Sequence, residues 1–275
     1  MEGTTDAFQL ADVETSPLVL PQRRSTLRST IVIPARLAST RLPRKLLLRE
    51  TGKSLLQHTY ESASRAKLPA GVCVAADCEE IAAEVRSFCG QVVLTDPNCA
   101  SGSDRVAEVA RQLPDVDVLI NVQGDEPEIS AEAIDLAHRL LEENPDAVMS
   151  TLATPIRSRE KLNDPSCVKA VFDARGRAIY FSRAPIPFAR TWDDRLLTAN
   201  PAVYHQHIGL YAYRREFLLK LATLPQAAME KVESLEQLRV LDAGYTILVG
   251  VIDEPTIGID TPEDYRAFVE RWRGR

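Results

Sequence analysis

Asp117-Val-Leu-Ile-Asn-Val-Gln-Gly-Asp125 carries the strongest strand signal in the chain, an almost continuous apolar run that stops at a glycine and an acid. Ser130 to Glu143 follows as an expected helix, with Ser130 as N-cap and Ile134, Leu136, Ala137, Leu140 and Leu141 on its inner side. Upstream, Thr30-Ile-Val-Ile-Pro-Ala35 reads as a buried strand, and Gly71–Asp77 and Gln91–Asp96 as β-rich runs that each end at an acid. Between the latter two, Glu79 to Phe88 places Ile81, Ala82, Val85 and Phe88 at helical spacing. Strand alternating with helix predicts an α/β fold: a mixed, mostly parallel sheet with helices on both faces. In such sheets ligands bind beyond the carboxyl ends of the strands, so the residues there are the functional candidates.

The second half is richer in strands: Ala147 to Ile156, Val168 to Phe172, Ala178 to Arg183, His207 to Tyr213 and Thr246 to Val251. Helices are expected there only over Glu230 to Leu241 and Pro262 to Trp272. These strands extend or flank the same sheet, giving one domain over 29–275 with an inserted, strand-rich hairpin region and no internal repeat. Residues 1–28 read as a disordered tail, rich in Ser, Thr and Pro to about Thr26, without the basic and apolar stretches of a signal peptide.

The 275 residues include 33 Lys and Arg against 39 Asp and Glu, a net charge of -6, with 45% hydrophobic and 26% charged residues. That is ordinary for a soluble globular chain and argues against a nucleic-acid coat, which needs a basic face. No apolar run approaches a membrane span, so neither nucleic acid nor membrane is an expected partner. The cysteines Cys73, Cys78, Cys89, Cys99 and Cys167 form no Cys-x-x-Cys pair and read as buried, reduced thiols of a cytosolic protein. The four histidines show no zinc-hydrolase pattern.

Chemistry concentrates in four places. The first strand runs into Pro34-Ala-Arg-Leu-Ala-Ser-Thr-Arg-Leu-Pro-Arg-Lys45, where Arg36, Arg41, Arg44 and Lys45 crowd a loop with the hydroxyls of Ser39 and Thr40. In an acidic protein such a cluster suits a polyphosphate, although it is not a Walker loop, and a solvated basic loop is the competing reading. Asp125 emerges from an apolar strand, where a turn acid and a magnesium ligand are equally open readings. Asp260, in Gly258-Ile-Asp-Thr-Pro-Glu-Asp264, is a metal candidate, but either it or Thr261 suits the cap of a helix starting at Pro262. Arg183 and His207 offer cationic or hydrogen-bonding groups at strand positions, and Glu236-Gln237 lies on a helix whose Leu235, Leu238 and Leu241 face inward.

Ile33-Pro-Ala-Arg-x-x-Ser-Thr-Arg-Leu-Pro-x-Lys45, Asn121-Val-Gln-Gly-Asp-Glu-Pro127, Tyr180-Phe-Ser-Arg-x-x-Ile-Pro187 and Gly258-Ile-Asp-Thr-Pro-Glu-Asp264 together resemble the 3-deoxy-D-manno-octulosonate (Kdo) cytidylyltransferases, or CMP-Kdo synthetases. So do His207-Ile-Gly-Leu-Tyr-Ala-Tyr-Arg214 and Glu233-x-Leu-Glu-Gln-Leu-Arg-x-Leu241, and the resemblance runs in order from about Ile31 to the C-terminus. It implies a nucleotidyltransferase fold, Rossmann-like and GT-A-like, whose inserted region serves dimerisation. It also implies the reaction of CTP with Kdo to CMP-Kdo and pyrophosphate, with Mg2+ as cofactor, in the cytoplasm, usually by a homodimer, for lipopolysaccharide core synthesis.

Carried over by position, the resemblance assigns the nucleotide to Arg36, Ser39, Thr40, Arg41, Lys45, Ser101, Gly102 and Asp104, and the sugar acid to Gln123, Arg183, His207, Tyr211, Glu236 and Gln237. Asp125 and Asp260 fall on the metal positions, and Arg36, Lys45 and Asp125 on the catalytic ones. Arg183 and His207 are the expected partners of the substrate carboxylate. Arg44 departs from the pattern by standing where many members carry Gly, a residue that permits a positive φ. A cytidylyltransferase for sialate or 8-amino-Kdo and a non-catalytic nucleotide-binding protein are the rival readings; a glycosyltransferase would be expected to show an Asp-x-Asp motif, which Gln-Gly-Asp-Glu-Pro is not.

Overall fold

A computed structural model describes residues 27–99, 101–254 and 257–274. Most of the expected tail, 1–26, lies outside the described residues, and Arg28 is tied down: its backbone N–H donates to Asp117 Oδ2 at 2.8 Å and its carbonyl accepts from Asp117 and Val118.

Among the described residues the sheet has nine strands: β1 (Ser29–Ala35), β2 (Val72–Ala76), β3 (Gln91–Leu94), β4 (Val118–Asn121), β5 (Met149–Pro155), β6 (Lys169–Phe172), β7 (Ala178–Ser182), β8 (His205–Arg214) and β9 (Ile247–Val251). Its order is β3-β2-β1-β4-β8-β5-β9, with β6 and β7 forming a hairpin that leans on β8. The first four strands in this order are mutually parallel, β8 runs antiparallel to both β4 and β5, and β9 is parallel to β5. β1 and β4 are central because Ile31, Val32, Ile33, Val118, Leu119 and Ile120 bury nearly all their surface on the two sides of the sheet.

Helices α1 (Leu55–Ala63), α2 (Glu79–Ser87), α3 (Gly102–Gln112) and α4 (Ala131–Glu143) alternate with the early strands. The short α5 (Arg159–Asn163) and α6 (Arg195–Thr198) belong to the second half, as do α7 (Arg215–Leu221), α8 (Ala228–Glu233), α9 (Gln237–Asp242) and α10 (Pro262–Arg273). One hydrophobic layer packs α1, α2, α4 and α10 against the sheet, and the other packs α3, α7 and α9 against its opposite face.

Three expectations change. The helix expected over Glu230 to Leu241 is two helices, α8 and α9, because Ser234 adopts a left-handed conformation at φ 53° and ends α8. α5, α6 and α7 are further helices in the second half, the last formed where Phe217, Leu218 and Leu221 turn one face to the core. Cys73 and Cys167 are buried thiols, but Cys89 is exposed.

From β1 the chain winds outward through β2 to β3, then returns to place β4 on the other side of β1. The order of strands therefore reverses between β1 and β4, and beyond the carboxyl ends at such a reversal is where sheets of this kind open a ligand crevice. Gly124 makes the close approach there possible, since a Cβ at this position would lie 3.1 Å from the Pro34 carbonyl oxygen.

Candidate active site

The loop that follows β1 and the turn that follows β4 face each other across this crevice. Asp77, at the end of β2, holds the loop by accepting the Leu37 N–H with both carboxylate oxygens at 3.1–3.2 Å. Arg36 ties the loop to the segment before α3 by donating from Nη2 to the Cys99 carbonyl at 2.9 Å. Ser39 is half-buried, and Thr40 and Arg41 are exposed. Arg44 has φ 56°, so a side chain occupies a left-handed position at a cost of roughly 1–2 kcal/mol, and its guanidinium pairs with Glu80. The backbone turn that a glycine would make there is kept despite the substitution.

The turn 123–127 is braced from below by α1: the buried hydroxyls of Thr59 and Ser62 donate to the carbonyls of Gly124 at 2.9 Å and Pro127 at 2.7 Å. The Ile259 N–H donates to the Asp125 carbonyl at 2.9 Å, which brings the 257–261 segment alongside. Thr261, not Asp260, caps α10, in a capping box with Asp264. The Asp260 carboxylate is thereby left to the crevice.

Lys45 stands where the two segments meet. Its ammonium donates to Asp125 Oδ2 at 2.5 Å, Asp260 Oδ1 at 3.0 Å and the Ile259 carbonyl at 3.1 Å. Arg41 completes the group by pairing with Asp260 Oδ2 at 2.9 Å. Burial draws the ammonium toward neutrality, but hydrogen bonds and attraction from Asp125 and then Asp260 prevail and raise its pKa above the ordinary lysine value. The two aspartates thus converge on one cation, and that cation belongs to the basic loop itself. Lys45 and Arg41 balance Asp125 and Asp260, so this part of the loop carries no surplus positive charge.

Beside the crevice lies a cleft of about 270 Å³, between the end of β4, the start of α3, β8 and the α8–α9 turn. Gln123, Tyr211, Glu236 and Gln237 line it, together with Gly102 and Asn121. Glu236 is positioned by Ser103, whose hydroxyl donates to its Oε2 at 2.8 Å. Ser101 and Asp104 satisfy one another as the capping box of α3, so their side chains set the helix start where Gly102 and Ser103 meet the cleft. The dipole of an eleven-residue helix favours negative charge at that end.

Arg183 and His207, the expected carboxylate partners, are not among the residues that line this cleft. The Arg183 guanidinium donates to the carbonyls of Glu233 at 2.7 Å and Pro165 at 3.1 Å, bridging β7 to the end of α8. His207 is 9% exposed, and burial drives its pKa down to about 3, so it is neutral near pH 7 and supplies no cation. Its Nε2 lies 2.9 Å from the Thr151 hydroxyl, and its ring packs against Phe181 and Tyr211. It borders the cleft through Tyr211.

Sequence reasoning missed Asp77, Thr59, Ser62 and Asn121. The acid ending the β2 run was visible as a signal for the first, whereas the hydroxyls of α1 meet their carbonyl partners only once the helix is placed against the β4 turn.

The chain matches the Cytidylyltransferase family over residues 30–247. It is 54% identical over 246 residues to the 3-deoxy-manno-octulosonate cytidylyltransferase of Rhodopirellula baltica, covering 89% of this chain and 98% of that protein. The enzyme of the same name from Protochlamydia amoebophila is 43% identical, with 88% and 92% covered. Among solved structures, CMP:2-keto-3-deoxy-manno-octonic acid synthetase complexed with CTP superposes with a TM-score of 0.83 at 37% identity, covering 90% of this chain and 99% of that one.

Proposed function

The chain belongs to the 3-deoxy-manno-octulosonate cytidylyltransferase family, and from that membership and the geometry of its site we infer that it transfers the cytidylyl group of CTP to the anomeric hydroxyl of Kdo. The observation that carries this reading is the convergence of Asp125 and Asp260, from segments far apart in sequence, on the Lys45 ammonium.

In the reaction the anomeric oxygen forms a bond to the α-phosphorus of CTP as the bond from that phosphorus to the bridging oxygen breaks. Pyrophosphate leaves with the electron pair, and the hydroxyl proton passes to solvent. No covalent enzyme intermediate is needed. Both reactants are anions, so the protein's task is to position them and neutralise charge. Arg36, Arg41 and Lys45, with the hydroxyls of Ser39 and Thr40, face the triphosphate. The α3 start, fixed by Ser101 and Asp104 and presenting Gly102, receives the nucleotide. Gln123, Tyr211, Glu236 and Gln237 receive the sugar acid; Arg183 and His207 shape that pocket from behind.

Asp125 and Asp260 suit Mg2+: they offer hard oxygen donors on two segments tied together, and they already gather one cation. Among the described residues no cluster of three metal-binding side chains exists, which is consistent with an ion whose remaining ligands are phosphate and water. When bound, Mg2+ supplies charge neutralisation at the α-phosphate and polarises the phosphorus.

We place the reaction in the cytoplasm, feeding lipopolysaccharide core synthesis, and no described helix is long and apolar enough to cross a membrane. A homodimer joined through the inserted region is supported by Ile179 and Phe188, which leave 60% and 88% of their surface exposed there. Pyrophosphate release from CTP, measured with Kdo, 8-amino-Kdo and sialate in turn, tests the reading. Release that depends on Kdo is expected; release with sialate alone, or none with any sugar acid, overturns it.

A further inference from the structure

Asn121 is an amide among apolar residues of the central sheet. It ends β4 in the middle of the sheet, opposite Val32 of β1 on one side and Tyr211 of β8 on the other. Leu119, Ile120 and Val122 around it are fully buried, and Asn121 itself is 2% exposed. Asparagine is a poor strand former, and an amide oxygen buried without a donor costs on the order of 1–3 kcal/mol. Nevertheless Asn121 Oδ1 has no hydrogen-bond partner.

The strand alternation explains where the side chain goes. Ile120 and Val122 belong to the layer beneath α4, and Leu119 to the layer beneath α3. Asn121 shares the face of Leu119, at the point where that layer gives way to the cleft it lines. Gln237 lines the same cleft, is 4% exposed, and has an Nε2 without an acceptor. An orphan acceptor and an orphan donor on one cleft complement hydroxyl groups, each of which can donate once and accept as well.

We propose that Asn121 is a specificity-determining residue of the sugar-acid pocket, its Oδ1 accepting a hydrogen bond from a substrate hydroxyl while Gln237 Nε2 donates to the same or a neighbouring hydroxyl. The inference rests on the assignment of this cleft to the sugar acid. The buried, unpaired amide favours the liganded state over the free one, and a substrate lacking the hydroxyl leaves it unpaired.

Asn121→Ala, with Asn121→Ser as a second variant should the first fail to fold, is assayed by pyrophosphate release with Kdo and CTP varied separately. KM for Kdo should rise about tenfold, KM for CTP should stay unchanged, and the melting temperature of the free protein should not fall, because an unpaired buried amide has been removed. Among monodeoxy analogues of Kdo, one should be handled equally by wild type and variant. An unchanged KM for Kdo, a parallel rise for both substrates, or a wild-type-to-variant ratio kept across every deoxy analogue overturns the proposal. Failure of the underlying reading shows separately, as wild-type protein inactive with Kdo; the same ratios are then taken with the sugar acid that does support release, and inactivity with all of them overturns both.

Discussion

Asp125→Asn is expected to lower turnover by about 1,000-fold, equivalent to about 4 kcal/mol of transition-state stabilisation, with the affinity for Kdo hardly changed. The substitution keeps the shape of the side chain and the backbone contact with Ile259, so the turn 123–127, held by Thr59 and Ser62, stays in place. What is lost is one of the two negative charges that converge on Lys45. Steady-state kinetics at saturating Mg2+, with a binding measurement for Kdo, checks this. Near-normal turnover removes Asp125 as a ligand, and an equal loss in Kdo affinity assigns it to the sugar pocket instead.

Lys45→Ala is the second large effect. The side chain is 14% exposed, against 25% for Asp125 and 46% for Asp260, so the ammonium neutralises two carboxylates in a partly dry setting. Removing it leaves both facing the crevice with only Arg41, on Asp260, as a counter-charge among the described residues. An incoming triphosphate then meets uncompensated negative charge and loses a donor as charge builds on the leaving group. A 100- to 1,000-fold fall in turnover is expected, about 3–4 kcal/mol, as for loss of one oxyanion-type donor. Lys45→Arg should recover part of it by keeping the charge. The variant's turnover at saturating CTP is the measurement; intact turnover would reduce the loop to steering alone.

The early strands were legible because β1, β2 and β4 are apolar runs that end abruptly, and a strand buried on both faces looks like that in sequence. The helices whose packing depends on small and polar side chains were harder to see. α1 buries Thr59 and Ser62 for hydrogen bonds that are invisible until the β4 turn is placed beside it. The break at Ser234 was hidden because apolar spacing continues across it, although the chain turns through a left-handed residue.

Within the site, the basic loop and the acid after β4 stood out locally. Nothing in their spacing pairs Asp125 with Asp260, since that contact is made by the sheet order and by the Ile259 N–H; only the family resemblance joined them. The ion pairs of Lys45 with both aspartates were equally hidden, because they form only once the 257–261 segment lies beside the turn after β4. His207 reads in sequence as a cationic or a hydrogen-bonding group; the choice between them follows from burial, which keeps it neutral, a tertiary property that one residue in a strand does not announce. Asn121 passed as part of a motif because its missing partner is visible only in three dimensions.

We propose that Asp125 and Asp260 hold one divalent cation while Lys45 contacts the triphosphate. A crystal of the protein grown with CTP and Mn2+, read by anomalous scattering, tests this most directly. A manganese peak bound by both carboxylates, with Lys45 on phosphate oxygen, is the predicted result; manganese bound without either carboxylate, while Lys45 still bridges the two, would contradict it.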